Sequence, residues 1–185
     1  MPTLAGHLDI TCTRDGNGRS YLREQSFSAP FHISKPYWNG HALLLQLASP
    51  TPGLFGGDRL TSSVTLDEGA RLRIITPSAG RAHTMNGNAA ELRQTFCLAK
   101  GARLEFCPAP FIPQRLSRYK QSANISIENG GELLMLETIS PGRVAHGESF
   151  RYQAIDWECN VTYASRLILR ERFVLEPDSP AFAAM

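Results

Sequence analysis

The side chains of this 185-residue chain that could do chemistry gather in a few short stretches. The densest is LETISPGRVAHGESF, residues 136–150, where Glu137, Arg143, His146 and Glu148 fall within twelve residues. Pro141-Gly142 marks a turn between them, and a strand carrying carboxylates at 137 and 148 across that turn would set both on one cavity wall. Carboxylate with imidazole is a set of direct ligands for a divalent metal. The five histidines, at 7, 32, 41, 83 and 146, form no H-x-H or H-x-x-x-H pair, so a lone His146 reads as a hydrogen-bonded loop residue. Asp58 follows two glycines in SPTPGLFGGDRL, residues 49–60. A carboxylate there either points into a cavity or caps its own turn. The glycines do not make a phosphate loop, since neither G-K-[ST] nor a G-x-G-x-x-G opening a helix is present. ITPSAGRAHTM, residues 75–85, supplies Thr76, Ser78, Arg81, His83 and Thr84. Ser78 follows Pro77 and lies outside any G-x-S-x-G, which leaves a serine nucleophile without its usual setting. Glu105 sits on an apolar run that leads into three prolines in LEFCPAPFIPQ, residues 104–114. By themselves these residues give acid-bearing loops and no catalytic set.

The elements that must position these loops announce themselves by repetition. GARL occurs at 69–72 and again at 101–104. Its flanks match as well: VTLDEGARL (64–72), FCLAKGARL (96–104) and ISIENGGEL (125–133) share one pattern at spacings of 32 and 29 residues. Each unit alternates apolar and polar with period two, which is strand chemistry. Each then bends at a central pair, Asp-Glu, Ala-Lys or Glu-Asn, followed by Gly, where a positive φ is cheap. A second apolar strand follows in each: LRIIT, LEFC and LLMLETI. Strand–turn–strand units recurring every thirty residues or so predict layers stacked on one another around a shared core. The expected fold is all-β, with the character of a layered solenoid or sandwich and at most one or two short helices. HALLLQLAS, between Gly40 and Pro50, is the stretch nearest to a helix and reads equally as a buried strand. Two further alternating runs, near Asn160–Tyr163 and Arg166–Leu175, extend the pattern, the second with exposed Arg and Glu set against buried Leu, Ile and Phe.

The length suits a single domain over residues 1–185. Charge is nearly balanced, 19 Lys and Arg against 17 Asp and Glu, and the densest basic cluster, RLSRYK at 115–120, reads as a solvated strand or loop. Nucleic-acid binding therefore has no support. Cys12, Cys97, Cys107 and Cys159 form no C-x-x-C pair. No apolar run reaches the ~20 residues that span a bilayer, and the N-terminus lacks the pattern of a signal peptide. The expectation is a cytoplasmic protein with reduced thiols and no membrane partner.

Taken in order, GGDRL, VTLDEGARL, LEFCPAPFIP and PGRVAHGESF make the chain resemble the urease accessory protein UreD family, also called UreH, from about residue 20 to residue 177. Members usually continue well past the point where this chain ends, so the resemblance implies a domain that lacks the usual C-terminal portion. It implies a non-enzymatic chaperone of layered β architecture, with no tightly bound cofactor. Such a protein binds the urease structural subunits, recruits UreF and through it UreG, and helps pass nickel to the urease active site. Carried onto this sequence, a transient nickel passage would include Asp58, Glu105, Glu137 and Glu148, with Thr76, Ser78 and Arg143 lining it or holding its loops. Asp58, Arg143 and Glu148 lead this set, and an Arg143–Glu148 ion pair of purely structural purpose fits the same residues. Two other readings stay open: a small β-fold enzyme with a metal or carboxylate site around 137–148, and a truncated relative that keeps the fold without the urease role.

Overall fold

A computed structural model describes residues 3–183. Its strands are β1 (Ala5–Arg14), β2 (Ser20–Phe27), β3 (His32–Ile33), β4 (Tyr37–Asn39), β5 (Ala42–Ala48), β6 (Arg59–Leu66), β7 (Arg71–Ile75) and β8 (Gly80–Ala82). They continue with β9 (Ala90–Leu98), β10 (Arg103–Cys107), β11 (Phe111–Pro113), β12 (Arg118–Ile127), β13 (Glu132–Met135), β14 (Ala154–Tyr163) and β15 (Arg166–Leu175). Among the described residues, helix is confined to one 3₁₀ turn, Val144–His146, and α1, Pro180–Ala183. A seven-stranded sheet runs β15-β14-β12-β9-β6-β1-β2. A second sheet runs β13-β10-β7-β5-β3, with β4 on β5, and β8 pairs with β11 in a small third one. The HALLLQLAS stretch is a strand, β5, with alternate residues buried.

The sequence repeat is the stacking register. β6, β9, β12 and β14 pair in parallel, so that Val64, Phe96, Ile125 and Val161 form one inward row across the first sheet. After the turn, Leu72, Leu104 and Leu133 form the matching row across β7, β10 and β13. Parallel neighbours need a crossover, and here each crossover is a strand of the opposite sheet. Gly69, Gly101 and Gly130 adopt φ of +67°, +65° and +71°, the same left-handed turn in three successive layers. Backbone bonds tie the turns together: Gly69 N–H donates to Lys100 O and Gly101 N–H to Asn129 O. Ala70 and Ala102 are fully buried at the corner. In the third layer a Cβ at Gly131 would lie 2.7 Å from Ile127 Cγ2, which accounts for GGEL where the earlier units read GARL. The inward rows of both sheets make the main core, and a second cluster forms around Tyr119, Tyr152 and Ile155.

The fourth layer departs from the pattern. β14 continues the first sheet, but Ala164 and Ser165, at φ +47° and +63°, turn the chain back on itself as β15, antiparallel to β14. The second sheet ends at β13, and among the described residues no strand continues it opposite β14 and β15. The expected burial of the apolar residues of the last run is therefore corrected: Leu167, Ile168 and Leu169 are 55%, 55% and 47% exposed. Only Phe173 and Leu175 are partly covered, packed on the second core cluster.

Candidate functional site

The inward face of the first sheet changes character along its strands. Val64, Phe96 and Ile125 are apolar, but two residues earlier β6 and β9 carry Ser62 and Gln94 side by side. The next row holds Gln121 beside Trp157. These positions lie beyond the ends of the facing strands, β7 at Ile75, β10 at Cys107 and β13 at Met135, where the second sheet gives way to loops. The space left is a cavity of about 330 Å³, walled by Ser62, Gln94, Tyr119, Gln121 and Trp157 on the sheet side and by the 76–81, 108–111 and 137–139 segments opposite.

Glu137 is the acidic residue of this wall. Gln121 Nε2–H donates to its Oε1 at 2.7 Å and Trp157 Nε1–H to its Oε2 at 3.2 Å. Behind Gln121, Tyr119 O–H donates to Gln121 Oε1 at 2.8 Å, and Gln121 Nε2–H also donates to Gln94 Oε1 at 3.0 Å. None of the ion pairs among the described residues involves Glu137. Burial pushes its carboxyl above the ordinary range, and the hydrogen bonds from Gln121 and Trp157 pull it part of the way back. Burial, and then the nearby Glu137 charge, push the Tyr119 phenol upwards too. A half-buried carboxylate without a counter-ion is an attractive place for a proton or a small cation. Amides, hydroxyls and one carboxylate make a weak cation site, and among the described residues no three His, Cys, Asp or Glu side chains converge as a metal cluster.

Thr76 and Ser78 line the same cavity. Thr76 Oγ1 accepts from Ala109 N–H at 2.7 Å and donates to Ser78 O at 3.2 Å, so it pins two wall segments together. The other candidates lie elsewhere. Asp58 is 3% exposed and caps two backbones, Leu4 N–H on Oδ1 and Phe55 N–H on Oδ2. Glu105 faces outward on β10, between Arg103 at 3.1 Å and Arg73 at 3.6 Å. Arg143 grips Glu148 with both Nε–H, at 2.7 Å, and Nη2–H, and Glu148 Oε2 also accepts Arg115 N–H at 3.2 Å. The hydrogen bond from Arg143, foremost, draws the Glu148 carboxyl down to about 2. His146 ends the 3₁₀ turn between the pair. Sequence reasoning passed over Ser62, Gln94, Tyr119, Gln121 and Trp157. The available signal was polarity at inward positions: counting back in twos from Val64, Phe96 and Ile125 reaches Ser62, Gln94 and Gln121.

A family model described as UreD urease accessory protein matches residues 4–185. The urease accessory protein UreD of Opitutus terrae is 42% identical over 171 residues, 91% of this chain and 63% of that protein. The UreD of Acetivibrio thermocellus is 32% identical over 163 residues, 87% of this chain and 62% of its own length. The UreH of Helicobacter pylori is 26% identical over 162 residues, 87% of this chain and 61% of its own. The chain thus spans about three fifths of the length of these curated relatives.

Proposed function

The chain belongs to the UreD family of urease accessory proteins, and from that premise we propose that it serves urease maturation in the cytoplasm as a non-enzymatic chaperone. In this reading it binds the urease structural subunits, engages UreF and through it UreG, and lets nickel move as cargo through the cavity beside Glu137. The observation that carries the passage is the half-buried Glu137, held by Gln121 and Trp157 on a cavity wall of amides and hydroxyls. Nickel(II) binds N, O and S donors strongly among the divalent metals, so a route for it works best with few ligands at any point. One carboxylate attracts the ion without enclosing it. Of the seven residues named from the sequence, Glu137, Thr76 and Ser78 hold positions on this wall. Asp58 and the Arg143–Glu148 pair support its surroundings, because their polar atoms are already taken up by loop contacts.

The test has two readouts. Tagged chain co-expressed with its host's urease subunits and UreF should recover both, and loss of both from folded protein would remove the chaperone reading. Glu137→Gln should then leave that recovery intact and lower the nickel content of the urease produced. If nickel content stays at the wild-type level, the cavity is not the route.

A further inference from the structure

The cavity has one wall that is attached differently from the rest. Between the end of β5 at Ala48 and the bridge from Leu54 to Ala82 runs a strap, residues 49–53, of which Ser49, Thr51, Pro52 and Gly53 line the cavity. Its ends are fixed: Ala48 pairs with His32, Leu54 N–H donates to Arg81 O at 2.8 Å, and His83 N–H donates to Leu54 O at 2.9 Å. Between those ends, among the described residues, no backbone hydrogen bond joins the strap to anything. Pro50 and Pro52 have no N–H to offer and keep the segment stiff. Ser49 and Thr51 hydroxyls bond only to each other, at 3.0 Å.

Among the described residues, one hydrogen bond crosses from the strap to the body. His83 Nε2 lies 3.0 Å from Pro52 O, and since that oxygen can only accept, the ring nitrogen carries the hydrogen. The ring is held in place by stacking on Phe55, with centroids 4.6 Å apart and planes 9° from parallel. Gly53 passes so close to β8 that a Cβ there would sit 2.8 Å from Arg81 O, at a φ of +142° that suits glycine. The strap therefore has a tight pivot at Gly53, a stiff middle and one side-chain latch.

We propose that residues 49–53 are a lid over one side of the cavity, held down by the His83–Pro52 hydrogen bond, and that release of this bond widens the access of small solutes to the Glu137 wall. The lid controls access whatever the cavity carries, and it does not depend on the nickel reading.

Trp157 lines the cavity and is one of two tryptophans, so Trp38→Phe leaves it as the sole indole. In that background the probe is acrylamide, a small neutral quencher of Trp157 fluorescence. His83→Ala should raise the apparent quenching constant, by up to about fivefold, the full population shift that one lost hydrogen bond gives. His83→Gln, whose amide N–H can still reach a carbonyl, should stay near the His83 value. Equal quenching in all three proteins, or wild-type Trp157 quenched as readily as free indole, would overturn the lid. Hydrogen exchange on the unaltered chain gives a second test that needs no variant to fold. Thr51 and Gly53 amides should exchange fast beside protected Leu54 and His83 amides, and protection at Thr51 and Gly53 equal to that of Leu54 would sink the proposal. Neither measurement involves nickel or urease, so this result and that of the passage test are independent.

Discussion

At Asp58 a single carboxylate closes two loops at once, taking Leu4 N–H on one oxygen and Phe55 N–H on the other. Asp58→Ala strands both donors in a site that is 3% exposed. It should cost about 2–3 kcal/mol in urea unfolding, while Asp58→Asn, which keeps one acceptor, should cost about half of that. A wild-type unfolding midpoint in Asp58→Ala would show that water replaces the cap. Glu148 invites a test by pH. Its carboxyl falls from an ordinary 4.5 to about 2 because Arg143 and Arg115 N–H bind the ionised form. Folding thus favours ionised Glu148, so its contribution is complete above about 4.5 and drains away as pH falls toward 2. The stability gap between wild type and Glu148→Gln should be widest near neutrality and close in acid. Glu137 has the opposite sign. Burial raises its carboxyl, so stability is lost as pH rises from the ordinary carboxylate value to the raised folded one, and above that the charged form carries a constant penalty. Asp58 and Glu148 serve their own loops, and Glu137 is the carboxylate left facing open space.

The turn glycines are the elements that the sequence states most openly, and they make the sharpest comparison between neighbouring positions. Gly130 sits at φ +71° with its Cβ direction nearly open, so Gly130→Ala pays for left-handed backbone alone, about 1–2 kcal/mol. Gly131 has ordinary backbone, but an added Cβ would strike Ile127 Cγ2 at 2.7 Å and Glu128 O at 3.0 Å. Gly131→Ala should therefore lose at least as much, through packing, and replacing Ile127 by Leu in the same chain, which removes the Cγ2 branch, should restore part of it. Thermal melts of the two single variants and of Gly131→Ala combined with Ile127→Leu decide this. An unchanged melting point in Gly131→Ala would mean the corner has room to relax. These turns were legible because three layers pose the same steric problem and reach the same residue for it. The polar cavity wall was not: Gln94 and Gln121 stand on strands, where alternation assigns them inward but says nothing of the empty space across from them. That space exists because β7, β10 and β13 end early, and the end of a strand is set by the loops that follow it. The position of Asp58 was legible as a choice between cavity and cap, and the two backbone donors beside it decided for the cap.

At the scale of the molecule the two sheets end unequally, and this has a measurable consequence. The first sheet carries β14 and β15 past the point where the second stops at β13. Leu134 and Leu136 are 55% and 60% exposed at the margin of the second sheet, and Leu167 and Leu169 are 55% and 47% exposed on β15. β15 is also the terminal strand of its sheet, with one side of its backbone ladder unpaired among the described residues. A long apolar edge of this kind pairs with whatever strand it meets. Buried leucines behave differently: Leu45→Ala, in the core between the sheets, should lose about 2–5 kcal/mol of stability. Leu167→Lys with Leu169→Lys should change stability by less than about 0.5 kcal/mol for each substitution, since neither side chain packs on the core. The same pair should reduce concentration-dependent association in sedimentation velocity, because charge on an edge strand opposes strand addition. If the double variant unfolds, the edge is packed more firmly than its exposure indicates. If it folds and associates as wild type does, the contacts that join copies of this chain lie on another face.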